Sequence, residues 1–287
     1  MRLACSPVLC PDYPVDRFVD LAHAAGYHRL ELFRDRTQST PVHDDFSVPG
    51  VRQILTRRDA AVAIFQIRRL TGRKSDSDER NLAYNLRQLE WDVHLGRALG
   101  VERFAVSGGE RTDEARCDLI DGLTQLCQRV PDASFALTNL AASPVRGLED
   151  LEELLPQLPD GVGVCLDTRE LLTAGEDIVA CVEALSSSLD AVRLQDTDQG
   201  RPVALGCGDL PLEDLLLHLQ RGGFAGDLIV CLDGIDGRDA DRRQAASAAH
   251  GMLTALLQTA GLMGNGCSCR KTTASIACSR FADPDRA

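Results

Sequence analysis

Read for hydrophobic and polar positions, the chain repeats one unit: a short apolar run, a turn, then a longer stretch with apolar residues at helical spacing. The apolar runs are Leu3 to Ser6, His28 to Phe33, Ala61 to Ile67, Val101 to Val106, Ala133 to Leu137, Val162 to Leu166, Ala191 to Leu194 and Leu228 to Leu232. Short apolar runs bounded by turn residues predict buried strands. The intervening periodicity predicts helices over Pro14 to Gly26, Val51 to Arg58, Asp78 to Leu99, Asp113 to Arg129, Leu148 to Leu155, Asp177 to Leu185, Pro211 to Arg221 and Asp239 to Thr259. In the first of these, Val15, Phe18, Val19, Leu21 and Ala22 share one broad face and Gly26 closes it.

Strict strand–helix alternation implies parallel strands joined by right-handed crossovers. Eight such units in roughly 250 residues match the size of a closed barrel. A doubly wound open sheet is the competitor, but no G-x-G-x-x-G follows the first strand. The predicted fold class is α/β: a (β/α)8 TIM barrel over 1–262 with a short Cys-containing C-terminal tail over 263–287.

Composition narrows the function classes. Forty-three acidic residues against 31 basic ones give a net charge of −12, which repels a phosphate backbone, and no basic run exceeds a pair or triplet. Nucleic acid is therefore not expected as a partner. The start, MRLACSPVLCPDYP, lacks the basic and apolar segments of a signal peptide, and no apolar run approaches a membrane span. A cytoplasmic protein without a membrane partner is expected. Of the 11 cysteines, eight sit singly in apolar or helical contexts and read as reduced core thiols. The other three lie in the tail, where Gly, Ser, Thr and Cys dominate and helical periodicity ends. That tail is expected to be disordered. Two alternatives stay open: Cys267, Cys269 and Cys278 as soft-metal ligands, or a peptide that thioether-forming enzymes modify, carried by the barrel.

Candidate chemistry gathers at strand ends. The sixth run leads into Asp167 and the seventh into Asp196, with Arg193 between them. Carboxyl ends of parallel strands are where side chains meet a ligand, so an active site is expected at that edge.

Five segments then resemble one family in order and spacing. ALGCGDLPLEDLLLHLQRGGFAGDLIV resembles the C-terminal signature of the xylose isomerase-like sugar phosphate isomerase/epimerase family. VCLDTRELLTAGED is similar to its Asp-x-x-His segment, VRLQD to its Val-His-Leu-Lys-Asp segment, FALTN to the Glu-Asn end of strand five, and LGRALGVERFAVSGG to the strand-four unit. The resemblance covers about residues 1 to 262. It implies a divalent metal held by Glu, Asp, His and Glu on strands five to eight, and proton abstraction beside a carbonyl through an enediolate. Carried over, these ligands fall on Thr138, Asp167, Arg193 and Cys231, and the second histidine on Glu170. It also implies a substrate-facing acid at Glu31, a basic residue at Arg201, and roles for Asn139 and Asp196.

Arginine has no lone pair to give a metal, and a hard cation wants several oxygens. The expectation is that Arg193 replaces the ion and pairs with Asp167 on the next strand. A rescue route for a metal runs through Asp167 and Asp233, with Glu31 and Cys231 nearby. His23, His28, His43, His94, His218 and His250 show no ligand spacing and read as surface or packing residues. Proton transfer is thus left to Glu31 or Glu170, with Arg193 steadying the enediolate. Asn139, Asp196 and Arg201 are the candidate contacts to the substrate, a sugar or related polyol; Asp196 reads first as a residue that orients the loop after strand seven, and Arg201 equally as a solvated loop residue. The rival expectation is a non-catalytic binding or scaffold barrel. Association into a homo-oligomer is open.

Overall fold

The structure, a computed structural model, describes residues 1–42, 47–73, 80–235 and 238–263, the last four as backbone. His43 and the tail beyond Met263 lie outside the described residues. The strands are β1 (Arg2–Cys5), β2 (Arg29–Phe33), β3 (Ala61–Gln66), β4 (Arg103–Val106), β5 (Ser134–Thr138), β6 (Gly163–Asp167), β7 (Leu189–Leu194), β8 (Asp196–Asp198), β9 (Arg201–Val203) and β10 (Asp227–Val230). Eight of them, all but β8 and β9, close a barrel through the β1–β2 and β1–β10 pairings. All pairings in that barrel are parallel. The helices are α1 (Val15–Ala24), α2 (Val48–Arg57), α3 (Leu82–Ala98), α4 (Asp113–Arg129), α5 (Leu148–Leu154), α6 (Thr168–Ala174), α7 (Ile178–Ala184), α8 (Leu212–Arg221) and α9 (Asp239–Met263). The (β/α)8 architecture expected from the alternating pattern is the one observed.

Three local features depart from the pattern reading. The third helix begins at Leu82, where Asn81 caps it by accepting the Tyr84 N–H at 2.9 Å. An extra helix, α6, starts directly at the end of β6, with Asp167 as its cap. The loop after β7 contains the antiparallel hairpin β8–β9, turned by Gln199 and Gly200, both with positive φ. Two consecutive positive φ values suit the right-handed twist of a tight hairpin.

Alternation along the strands divides the core in two. Val164, Leu166, Val192 and Leu194 face outward into the shell shared with the helices. Ala136, Cys165, Ala191 and Ile229 belong to the separate inner set that fills the barrel. α3 lies so close to the strands that a Cβ at Gly96 would stand 2.5 Å from the Phe104 ring. At the start of the barrel the buried Asp227 accepts Arg2 at 3.0 Å and Arg29 at 2.6 Å, tying β10 to β1 and β2. The small inner residues leave the opposite end to carry large polar side chains.

Candidate active site at the carboxyl ends of the strands

One step above Ala191 on the inner face of β7 stands Arg193, only 3% exposed. The sequence reading pairs it with Asp167, its register neighbour on β6. That ion pair is present at long range, and the hydrogen-bonded partner is Glu31, across the barrel on β2. Arg193 Nε donates to Glu31 Oε1 at 2.7 Å, and Nη2 approaches the same oxygen at 2.5 Å. Nη2 also donates to Gln66 Oε1 at 2.8 Å. Asp167 Oδ2 lies 3.9 Å from Nη1, too far for a hydrogen bond. The reason is reach: a register neighbour starts beside Arg193, whereas its long side chain extends over the barrel axis to the opposite wall.

Glu31 has no exposed surface, and Ser6 Oγ donates to its second oxygen at 2.5 Å. Both carboxylate oxygens are therefore engaged. Burial works against the charge of Arg193, but Glu31 foremost among its neighbours outweighs it and holds the guanidinium above its ordinary range. The Phe33 ring lies under the guanidinium, 5.6 Å from its carbon.

Asp167 is held by a reciprocal pair with Asn139: its N–H donates to Asn139 Oδ1 at 2.6 Å, and Asn139 Nδ2 donates to its carbonyl at 3.1 Å. Its Oδ1 accepts the Arg169 and Glu170 N–H groups at the start of α6. Oδ2 makes no hydrogen bond among the described residues and faces Arg193. Burial raises the Asp167 carboxyl above its ordinary value, with Arg193 acting in the opposite direction. Glu170, half-buried, accepts the Ala141 N–H through Oε2 at 2.7 Å.

These groups form the floor of a cleft of about 1560 Å³, which Gln66, Thr138, Asn139, Asp167, Glu170 and Arg193 all line. Glu31 is sealed beneath it. Asp233 stands apart in an ion pair with Arg169 at 2.9 Å. Asp196 turns into its own loop and accepts four backbone N–H groups, from Thr197, Gly206, Gly208 and Leu210, at 2.9 to 3.0 Å. Arg201 is exposed on the hairpin strand β9. Of the residues singled out in the sequence, Asn139, Asp167, Glu170 and Arg193 converge on the cleft. Glu31 supports them from below, and Asp196, Arg201 and Asp233 lie outside its lining.

Three contributors were not singled out from the sequence: Ser6, Phe33 and Gln66. Gln66 carries a signal, because it is the one polar residue ending the apolar strand AVAIFQ. Phe33 follows Glu31 by two and so shares its face.

The four positions that correspond to metal ligands offer one carboxylate, one hydroxyl, one thiol and one guanidinium. The Cys231 thiol is pushed well above its ordinary value by burial, with Glu31 adding to the rise. The Thr138 Oγ1 atom is buried and makes no hydrogen bond of ordinary geometry among the described residues. Arg193 brings a fixed positive charge to the position onto which the resemblance carries the metal-binding histidine, and among the described residues no three His, Cys, Asp or Glu side chains are grouped to hold a metal. This donor set does not fit a divalent cation.

A comparison with curated protein sequences finds no match. Solved structures share the fold at low identity. An L-ribulose 3-epimerase superposes with a TM-score of 0.78 at 15% identity, covering 94% of this chain and 99% of its own. A D-psicose 3-epimerase from Clostridium cellulolyticum H10 gives 0.74 at 12%, covering 90% and 99%. The probable 3-DHS dehydratase of Bacillus anthracis gives 0.72 at 12%, covering 88% and 99%. The family model of the xylose isomerase-like TIM barrel matches residues 19–256, which takes in every barrel strand except β1. With that match over most of the chain, a closed eightfold barrel and a polar cluster at its carboxyl edge, the protein belongs to the xylose isomerase-like TIM barrel family.

Proposed function

We propose that the chain is an isomerase- or epimerase-like enzyme that moves a proton next to the carbonyl of a small polar compound, a sugar or related polyol, without a divalent ion. The observation that carries this reading is Arg193: a buried, permanently charged group held by Glu31 and Gln66, with Nη1 left for the cleft. In the proposed step the Glu170 carboxylate takes the proton from the carbon beside the carbonyl. The electron pair of that C–H bond forms the enediolate double bond, and the carbonyl oxygen gains negative charge opposite Arg193 Nη1. For isomerisation, Glu170 returns the proton to the former carbonyl carbon, while the hydroxyl proton of the neighbouring carbon passes to the first oxygen and leaves the carbonyl on the neighbour; return to the original carbon from the same face changes nothing but the hydrogen isotope. A preorganised cation at a developing oxyanion is the kind of stabilisation that lowers such barriers. In this reading Asp167 Oδ2 accepts a substrate hydroxyl, supported by its lack of a hydrogen bond among the described residues.

Glu170 is preferred over Glu31 as the base because it reaches the cleft, whereas Glu31 has both oxygens engaged below the floor. Glu31 and Gln66 then act as positioning residues for Arg193.

The test is proton exchange. Incubated in D2O with a panel of ketoses and keto acids, the protein is expected to introduce deuterium at the carbon next to a carbonyl, read by NMR. Glu170→Gln is expected to slow that exchange by about 10²-fold or more, the usual contribution of a positioned base. No exchange with any member of the panel would leave a binding barrel rather than an enzyme.

A further inference from the structure

The loops after β2 and β3 carry four arginines that matter here, and the fold treats them in two ways. Asp92, a fully buried carboxylate on α3, accepts Arg34 Nε at 3.0 Å and stands 3.2 Å from Arg68 Nη1. One arginine from each loop is thereby neutralised. The other two, Arg36 and Arg69, are exposed and line the cleft, and neither has an ion-pair partner among the described residues. The nearby acids are largely committed elsewhere. Glu114 pairs with Arg73, and Asp118 with Arg80 and the Gly72 N–H. Asp35 and Glu110 also line the cleft but form no ion pair with either arginine.

Arg36 is placed rather than loose. Its guanidinium carbon lies 5.1 Å from the Phe33 ring centroid, the same ring that Arg193 overlies at 5.6 Å. Two cations are thus gathered about one aromatic ring, one on the cleft floor and one on its wall. On the floor, Arg193 Nη1 and Asp167 Oδ2 lack hydrogen bonds among the described residues, and the Thr138 hydroxyl, on a residue only 3% exposed, has the Cys165 thiol beside it and no well-formed hydrogen bond there. A neutral polyol can satisfy its hydroxyls with neutral groups and gains little from a second fixed charge. An anion gains a charge-assisted, two-pronged hydrogen bond from a guanidinium.

We propose that the cleft takes a carbonyl compound carrying its own anionic group, a carboxylate or a phosphate, and that Arg36 is the residue that binds this group, with Arg69 on the lining of the same cleft. This deepens the reading above and rests on the same cleft handling the ligand. The carbonyl end lies on the floor at Arg193, and the anionic end on the wall.

Calorimetric titration of the whole protein with D-fructose, D-fructose 6-phosphate and 5-keto-D-gluconate tests it. At least one anionic probe is expected to bind about tenfold or more tighter than fructose, the effect of one charge-assisted bond. Arg36→Gln is expected to remove most of that advantage and Arg36→Lys to keep part of it, since a point charge remains without the fork. Preference for the phosphate or for the carboxylate identifies the group. The proposal is overturned if fructose binds as tightly as both anions, if Arg36→Gln leaves their advantage intact, or if none of the three binds. Anion binding without deuterium exchange would keep this inference and remove the catalytic reading. Exchange on fructose with no anion preference would do the reverse.

Discussion

Arg193 and Glu31 lie 162 positions apart in sequence and share a 2.7 Å hydrogen bond across the barrel. The bond joins β7 to β2, strands that are not neighbours in the sheet, and both side chains are buried. Removing one partner leaves the other charged and desolvated. Arg193→Met and Glu31→Gln are each expected to cost about 3–5 kcal/mol, the usual penalty for breaking a buried pair. The double variant is expected to recover part of the loss, because no charge is then stranded. Urea unfolding of the four proteins measures this. Single variants as stable as the parent would remove the pair from the account.

Asp196 is predicted to organise its loop rather than to touch ligand, since its two oxygens serve four backbone N–H groups. Asp196→Ala should lower stability by about 2–4 kcal/mol through unsatisfied donors. It should also open the segment after β7 to limited proteolysis. Ligand affinity that falls while proteolysis and stability stay unchanged would point to a direct contact instead.

The thiols divide by environment. Burial pushes the Cys165 thiol up to about 12, although Arg193 opposes the shift, and Cys231 is also driven well up by burial. Cys117 is exposed. Brief iodoacetamide treatment at pH 7.5 followed by peptide mass mapping should label Cys117 and spare Cys165 and Cys231 until the protein is unfolded, because only the thiolate reacts. Early labelling of Cys165 would contradict the packed barrel interior.

His250 supplies a pH signature away from the cleft. Its imidazole packs edge-on to Tyr27 at 4.8 Å and is lowered from 6.5 by burial first and by His28 second. A lowered basic group favours the neutral form in the fold. Its contribution is therefore complete above pH 6.5 and lost as pH falls from 6.5 through the lowered value. The melting temperature should drop more steeply over that window in the parent than in His250→Gln. Identical slopes would assign the acid sensitivity to other groups.

Much of the fold was legible because the apolar runs are short, regularly spaced and separated by amphipathic stretches, which is what a barrel strand buried on both faces requires. The hairpin β8–β9 was not, because Gln199–Gly200 lacks the Asn-Gly or Asp-Gly signature of such turns. Helix α6 did leave a trace: Asp167 followed three residues later by Glu170 is a helix-start pattern, but the same two residues also read as a site motif. In the site, Arg193 and Asp167 could be placed from the strand ends, and Glu170 from the resemblance to the Asp-x-x-His segment. The Glu31 pairing could not, since a contact across the barrel depends on side-chain reach, which neither spacing nor alternation encodes. Gln66 and Phe33 left fainter traces, a polar end to an apolar strand and a place two residues after Glu31.

Metal titration tests most directly whether the Arg193 guanidinium has taken the place of the divalent ion that the family pattern implies. Protein freed of adventitious metal would be titrated with Mn2+ and followed by calorimetry and by the electron paramagnetic resonance of the free ion. The account predicts no site at the barrel mouth in the parent chain, and a new one in a Thr138→Glu, Arg193→His, Cys231→Glu variant, in which four donors replace one. Stoichiometric Mn2+ binding by the parent, abolished by Asp167→Ala, would contradict it.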